Sequence, residues 1–401
     1  MAKLTIQDLE LAGKRVLMRV DFNVPLENGV VANDQRIRAA LPSIRYVVDN
    51  GGRLILMSHL GRPKGERKVE MSLRPCAQVL GTLLERPVAF VDDCIGPTVT
   101  LAVEDLVNGQ VLLLENLRYY KQETSNESGF ANELAKLGEI YINDAFGTAH
   151  RAHASTEGIT HYINQCASGF LLTKEIDYLE KVTQNPERPF VAVLGGAKIS
   201  GKIDVIENLL PKVDQLIIGG GMSYTFFKAK GYAIGTSLLE KDKVELARSI
   251  LEKSGDKLLL PVDCLISDDF DFEARRVGKI EEVAVDSIKA NWCGLDIGQA
   301  TIDAFGKVLR HAKTVVWNGP MGVFEIDQTA KGTLAVANIL AQLTDSGATT
   351  VVGGGDSAAA VAKAGVAERI SHVSTGGGAS LEYLEGKNLP GVAALTDKKL
   401  S

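Results

Sequence analysis

The amino-acid sequence predicts an α/β protein of two domains, each built on a parallel sheet. Three observations carry this. Short apolar runs rich in β-branched residues alternate with helix-patterned stretches and stop abruptly at Gly, Asn, Asp or Pro, as strands of a sheet buried on both faces do. The chain has 401 residues, more than one ordinary core holds. FLLTKEIDYLEKVTQ (170–184) carries Leu171, Leu172, Ile176, Leu179 and Val182 at near-helical spacing and runs into NPERP. That helix and the proline-bounded segment after it, 170–189, join a first domain, 1–169, to a second, 190–389.

Taken in order, KRVLMRVDF (14–22) reads as a strand, 35–50 as a helix and 53–57 as the next strand. VLLLEN (111–116) and IYIND (140–144) are further buried strands. In the second half FVAVLGG (190–196), QLIIGGG (215–221), KLLLPVD (257–263), TVVWNGP (314–320) and TTVVGGGD (349–356) repeat one theme. Ligands of open parallel sheets bind beyond the carboxyl ends of the strands. Polar residues collect at those ends: Asp21, Asn23, Ser58, His59, Glu115, Asn116, Arg118 and Asp144 in the first half, and Gly195–Lys198, Gly219–Gly221, Asn318 and Asp356 in the second.

Composition narrows the function. A net charge of −6 argues against a broad nucleic-acid surface. No run reaches the ~18 apolar residues of a membrane span, and the first residues have no leader character, so residence in the cytoplasm is expected. The five cysteines are dispersed and form no CxxC, which reads as reduced buried thiols. Of the 18 arginines, 12 precede residue 170, where they hint at a small anionic ligand gripped through bidentate contacts.

Several motifs bear on chemistry. In GGAKISGKID (195–204), Gly196 to Lys202 fits G-x-x-x-x-G-K, but Ile203 stands where a Walker A hydroxyl would hold Mg²⁺. A glycine-rich strand end opening a helix still suits phosphate, and Lys198 and Lys202 would share a face of a helical first turn. In VVGGGDSAAA (351–360), Asp356 is either a helix cap or a carboxylate for Mg²⁺ beside phosphates. VSTGGGASLEYLEG (373–386) offers bare amides to a developing phosphoryl charge. In WNGPMGVFE, Asn318 ends a strand and Glu325 follows a turn. GTAHRAHASTEG sets His150, Arg151 and His153 together. No further ligand lies at metal spacing, so Arg151 reads as an anion ligand with the histidines as donors or supports. A covalent-nucleophile signature is missing, as phosphoryl transfer permits.

RVDFNVP, SHLGRP, LLENLRYY, NDAFGTAHRAHAS, GGAKISGKID, IIGGGM, WNGPMGVFE, GGGDSAAAV and STGGGASLEYLEG stand in the order and spacing of the phosphoglycerate kinases, and the chain resembles that family over essentially its whole length. Tyr119 replaces a common Phe, and DIGQAT (296–301) departs from DIGPKT at Gln299 and Ala300. The resemblance implies two Rossmann-like domains with parallel sheets joined by an interdomain helix, a tail (390–401) packed on the first, and closure about 170–189. It implies reversible transfer of a phosphoryl group between 1,3-bisphosphoglycerate and MgADP, giving 3-phosphoglycerate and MgATP. By the same resemblance Asp21, Asn23, Arg36, His59, Leu60, Gly61, Arg62, Arg118 and Arg151 bind phosphoglycerate. Gly195, Gly196, Ala197, Lys198, Lys202, Gly219, Gly220, Gly221, Asn318, Pro320, Glu325, Gly354, Gly355, Asp356 and Ser357 line the nucleotide site. Lys202 and Arg36 flank the transferred group, the amides of Gly376–Gly378 assist, and Asp356 contacts Mg²⁺. A monomer acting on small molecules, without nucleic acid or membrane, is expected. A different ATP-dependent carboxylate kinase and a non-catalytic nucleotide sensor are the competing readings; an NAD dehydrogenase is disfavoured because G-x-G-x-x-G with its acid is missing.

Overall fold

The run RVLMRV is apolar enough to lie inside a sheet, and in the computed structural model it forms the strand β1 (Arg15–Val20), buried at all but its first residue. The structure describes residues 2–398, so the last residues of the 390–401 tail lie outside it. Residues up to Asp177, with the segment from Asn388, make one compact unit; Tyr178–Lys387 make another.

In the first unit β1 pairs in parallel with β2 (Arg53–Met57). Beyond these lie β3 (Val88–Val91), β4 (Val111–Leu114), β5 (Ile140–Asp144) and β6 (Cys166–Ser168), in the order β3-β4-β2-β1-β5-β6. The apolar face of helix α1 (Gln35–Asp49), with Ile37, Ala40, Ile44 and Val47, packs with helix α2 (Arg74–Leu84) on one side of this sheet. Residues 388–398 return here: Asn143 Nδ2 donates to the Gly391 carbonyl at 2.9 Å and Leu4 N to that of Thr396 at 2.8 Å.

Asp144, at the end of β5, serves as a helix cap. Its Oδ1 accepts from the amides of Leu171 and Leu172 at 2.9 and 3.1 Å, at the start of the helix α4 (Phe170–Gln184). A short helix α3 (Lys121–Thr124) precedes it in the chain.

The second unit is a six-stranded parallel sheet of β7 (Phe190–Leu194), β8 (Gln215–Ile218), β9 (Leu258–Leu259), β10 (Thr314–Asn318), β11 (Thr349–Gly353) and β12 (His372–Val373), in the order β9-β8-β7-β10-β11-β12. Order reverses between β7 and β10, and a crevice opens at such a switch point. Stretch 257–263 is not one strand. After Leu259 the chain leaves this sheet, passes Pro261, and Asp263–Ser267 enters a separate antiparallel sheet with Ile280–Ala284 and Cys293–Ile297. A proline has no N–H for a ladder, which is reason enough for the break.

At DIGQAT, where the resemblance implies DIGPKT, the helix α6 (Gln299–Leu309) is held through backbone: Asp263 accepts from the amides of Ala300 and Thr301, both at 2.8 Å. The missing Pro and Lys side chains leave those bonds untouched. Asp296 likewise accepts from the amides of Ile297 (2.9 Å) and Gly332 (2.7 Å), the latter in the first turn of α7 (Lys331–Asp345). Burial pushes its carboxyl up to about 7 despite these bonds. The folded protein therefore holds a proton there that the unfolded chain releases near pH ~4. Its contribution to stability is full below that pH and is lost as pH rises through about 7. Asp296→Asn lowers stability overall but flattens this decline; urea unfolding at pH 5 and 7.5 that gave equal slopes in both proteins would contradict the assignment.

Candidate functional site

In the first unit three of the predicted arginines, Arg62, Arg118 and Arg151, line one cavity, and Arg36 stands outside its lining. Arg36, in the first turn of α1, donates from Nη1 to Asp21 Oδ2 at 2.5 Å, and its side chain keeps 39% of its surface exposed against 11% for Asp21. The chain then turns so that Asn23 Oδ1 accepts the Gly61 amide at 2.8 Å. Asn116, fully buried after β4, fixes the same loop: its Nδ2 donates to the Leu60 and Met71 carbonyls at 2.7 and 2.9 Å, and its Oδ1 accepts from the amides of Leu60 and Arg118. Arg118 Nη1 donates to the Gly61 carbonyl at 2.9 Å. Burial first, and then Arg19, hold Arg118 down to about 10, so this cation lacks an adequate counter-charge.

A cavity of about 400 Å³ is lined by Arg62, Lys64, Gly65, Arg118, Tyr120, Lys121, Thr124 and Arg151. Five cations and no carboxylate surround it, which is an anion's environment. Arg62 and Arg151 are exposed in it. Lys64 and Lys121 were not singled out in the sequence; a single lysine in a polar stretch carries no pattern. His150 Nε2 accepts from Arg151 Nε at 3.1 Å. His153 is buried, with Nδ1 at 3.9 Å from Glu123 Oε1, and burial, with Arg19 next, pushes it down to about 4. His59 is held well below its ordinary value by burial and then by Arg19, Arg118 and Arg36. Both rings are therefore neutral at neutral pH.

Three residues beneath this surface escaped the sequence reading. Arg19 lies fully buried in β1, and Glu123 and Ser155 are fully buried beside it. A signal existed for the first: a charged residue in mid-strand of an otherwise apolar run asks for a buried partner.

In the second unit three strand exits interleave closely, mostly through backbone. A Cβ on Gly195 would lie 2.1 Å from the Pro320 carbonyl oxygen, and one on Gly220 2.6 Å from the Gly196 amide nitrogen. Gly219 lies instead against the Met321 side chain, whose Sδ would meet a Cβ there. The Gly196 backbone adopts φ +102°, which disfavours other residues. These exits frame a cavity of about 640 Å³. Gly196, Ala197, Gly220, Gly221, Pro320, Glu325 and Asp356 line it, with Leu238, Phe270, Phe272 and Leu295 giving an apolar wall. Asn318 ends β10 beside Gly353, and Ser357 Oγ accepts the Gly319 amide at 2.6 Å.

Lys198 and Lys202 do not share a helical first turn. A 3₁₀ turn, Ile199–Gly201, separates them, and α5 (Ile203–Leu209) begins only after Lys202. Lys198 is exposed, while Lys202 is half-buried with Nζ on Asn318 Oδ1. Burial lowers Lys202 to about 8, against the pull of Asp356 and Glu385. Asp356 is not the cap of α8 (Gly355–Lys363). That position belongs to Gly354, and Asp356 is an exposed carboxylate in the first turn. Gly376 caps α9 (Gly377–Leu384), and its amide donates to Ser374 Oγ at 3.1 Å; Gly377 and Gly378 open the helix.

Comparison with known proteins shows the family of the chain. A family model described as phosphoglycerate kinase matches residues 6–387. The chain is 59% identical over 400 residues to a phosphoglycerate kinase of Chloroherpeton thalassium, covering 99% of this chain and 100% of that one. It is 58% identical over 401 residues to that of Chlorobaculum tepidum, with the same coverage. Among solved structures, phosphoglycerate kinase from Coxiella burnetii superimposes with a TM-score of 0.89 at 41% identity, and that from Pyrococcus horikoshii OT3 with 0.83 at 32%, each over 98% of both chains. The chain belongs to the phosphoglycerate kinase family, phosphotransferases with a carboxyl acceptor that move a phosphoryl group reversibly between 1,3-bisphosphoglycerate and ADP, giving 3-phosphoglycerate and ATP.

Proposed function

We propose that the arginine-lined cavity of the first unit is the phosphoglycerate site and the glycine-framed cavity of the second the nucleotide site. The observation that carries this is the ring of five cations without a carboxylate, suited to a small acid bearing both carboxylate and phosphate. Arg36, Arg62, Arg118 and Arg151 hold the anionic groups, with Asp21, Asn23, His59, Leu60 and Gly61 shaping the site around them. Glycine amides at the exits of β7, β8 and β10 approach the nucleotide closely, and Glu325 accepts from its ribose. Lys202 reaches the transferring phosphoryl, aided by the amides of Gly377 and Gly378, while that of Gly376 is engaged with Ser374 Oγ.

Asp356, exposed and not the helix cap, lines the second cavity and would suit a role as Mg²⁺ ligand. The ion, when bound, neutralises phosphate charge as it develops. Transfer is direct and in-line, resting on positioning and charge stabilisation. A phosphoprotein trapped on the reaction path would contradict this. The enzyme works in the cytoplasm as a monomer. Among the described residues no helix is long and apolar enough to cross a membrane.

The test is to mix the protein with MgATP, 3-phosphoglycerate and hydroxylamine and assay the acyl hydroxamate. Formation that depends on both substrates is expected. ADP release without hydroxamate points to another acceptor, and bound nucleotide without turnover to a sensor. Arg151→Ala raises the KM for phosphoglycerate by about 10–100-fold and leaves ADP affinity within about twofold, because a charge-assisted contact is lost on one ligand only. A fall in ADP affinity alone would reverse the assignment.

A further inference from the structure

The fully buried Glu123 carboxylate, in α3 beneath the first cavity, is not among the residues proposed to hold either substrate. Its Oε2 accepts the Ser155 amide at 3.0 Å and its Oε1 the Ser155 hydroxyl at 2.6 Å. The Glu123 carbonyl accepts the Ala154 amide at 3.0 Å, and the Ser155 carbonyl accepts Tyr141 Oη at 2.7 Å. Ser155 Oγ has one proton, engaged with Glu123, and its lone pair accepts Arg19 Nε at 2.9 Å. Arg19 Nη1 donates to the Val20 carbonyl, and Nη2 lies 3.1 Å from His59 Nδ1.

The direction of this chain follows from chemistry. A guanidinium only donates, so His59 Nδ1 accepts. A neutral imidazole has one proton, which then sits on Nε2. The carboxylate gives the buried Arg19 charge a partner at one hydroxyl's remove, without which that charge is costly. Ser155 lies four residues after Arg151, so the same tether sets the loop that carries Arg151.

We infer that Glu123 is a positioning residue for the phosphoglycerate site, fixing His59 through Ser155 and Arg19 as the neutral Nε2–H tautomer and ordering the loop of Arg151. This rests on the reading of His59 and Arg151 as phosphoglycerate ligands.

The experiment uses the full chain with ¹⁵N-labelled histidine, His59 being assigned by its absence in His59→Gln. The wild type shows His59 neutral with the proton on Nε2. Ser155→Ala and Glu123→Gln shift His59 to mixed tautomers. They also raise the phosphoglycerate KM by about tenfold, with kcat and the ADP KM within about twofold, as loss of a charged hydrogen-bond relay requires. Protonation of Nδ1 or an imidazolium in the wild type overturns the inference. So do variants with unchanged tautomer and KM, or variants whose kcat falls in step with thermal stability, since that is a structural role alone. If Glu123→Gln does not fold, Ser155→Ala carries the test. If the wild type makes no hydroxamate, the reaction reading fails, whereas the tautomer still reports on the relay.

Discussion

Lys202→Ala is expected to cut turnover by about 10³-fold while changing the ADP dissociation constant by less than about threefold, because its charge matters most where phosphoryl charge develops. Lys202 Nζ rests on Asn318 Oδ1 at the end of β10, half-buried, and burial holds it to about 8. It is thus an ammonium with little hydration to lose when a phosphoryl oxygen arrives. A second readout follows from the same value. A lysine titrating near 8 is partly neutral at pH 8, and nucleotide phosphates favour its charged form, so ADP binding at pH 8 takes up protons. Calorimetry in two buffers of different ionisation enthalpy measures this uptake, which Lys202→Ala should abolish. Unchanged turnover removes Lys202 from the mechanism; equal uptake in both proteins places the proton elsewhere.

Gly195→Ala is expected to lower ADP affinity by about 100-fold and folding stability by about 2–3 kcal/mol, an overpacking penalty with no cheap relief. The new Cβ would lie 2.1 Å from the Pro320 carbonyl oxygen, 2.6 Å from that of Gly319 and 2.7 Å from Met321 Cε. Only the methionine can move aside. The two carbonyls belong to the exit of β10, which is tied to the exit of β7 by Gly195 N to Asn318 O at 3.0 Å and Gly196 N to Pro320 O at 2.9 Å. Separating them opens the floor of the nucleotide cavity. Gly201→Ala is the control from the same loop: nothing lies within 4 Å of its Cβ, and both quantities should hold. Equal ADP affinity in the two variants would show that the interleaved exits do not shape the site.

The sequence by itself determined the α/β class, the helix Phe170–Gln184 and the family. These features are written locally: apolar runs of strand length, glycines at their exits, leucines at helical spacing. It also marked Arg62, Arg118 and Arg151 as residues for one kind of ligand, and all three line one cavity in the first unit. The tertiary structure decided the rest. KLLLPVD reads as one strand, yet which sheet an apolar residue joins depends on partners far along the chain, and Pro261 divides the segment between two sheets. Lys198 and Lys202 look equivalent, but a 3₁₀ turn leaves one in solvent and buries the other against Asn318. Glu123 and Ser155 look like residues of polar loops until β1 brings Arg19 against them. Hydrophobic periodicity is a short-range signal that a chain shows before it folds; the pairing of buried charges is a long-range one, created only when distant segments are excluded from water together.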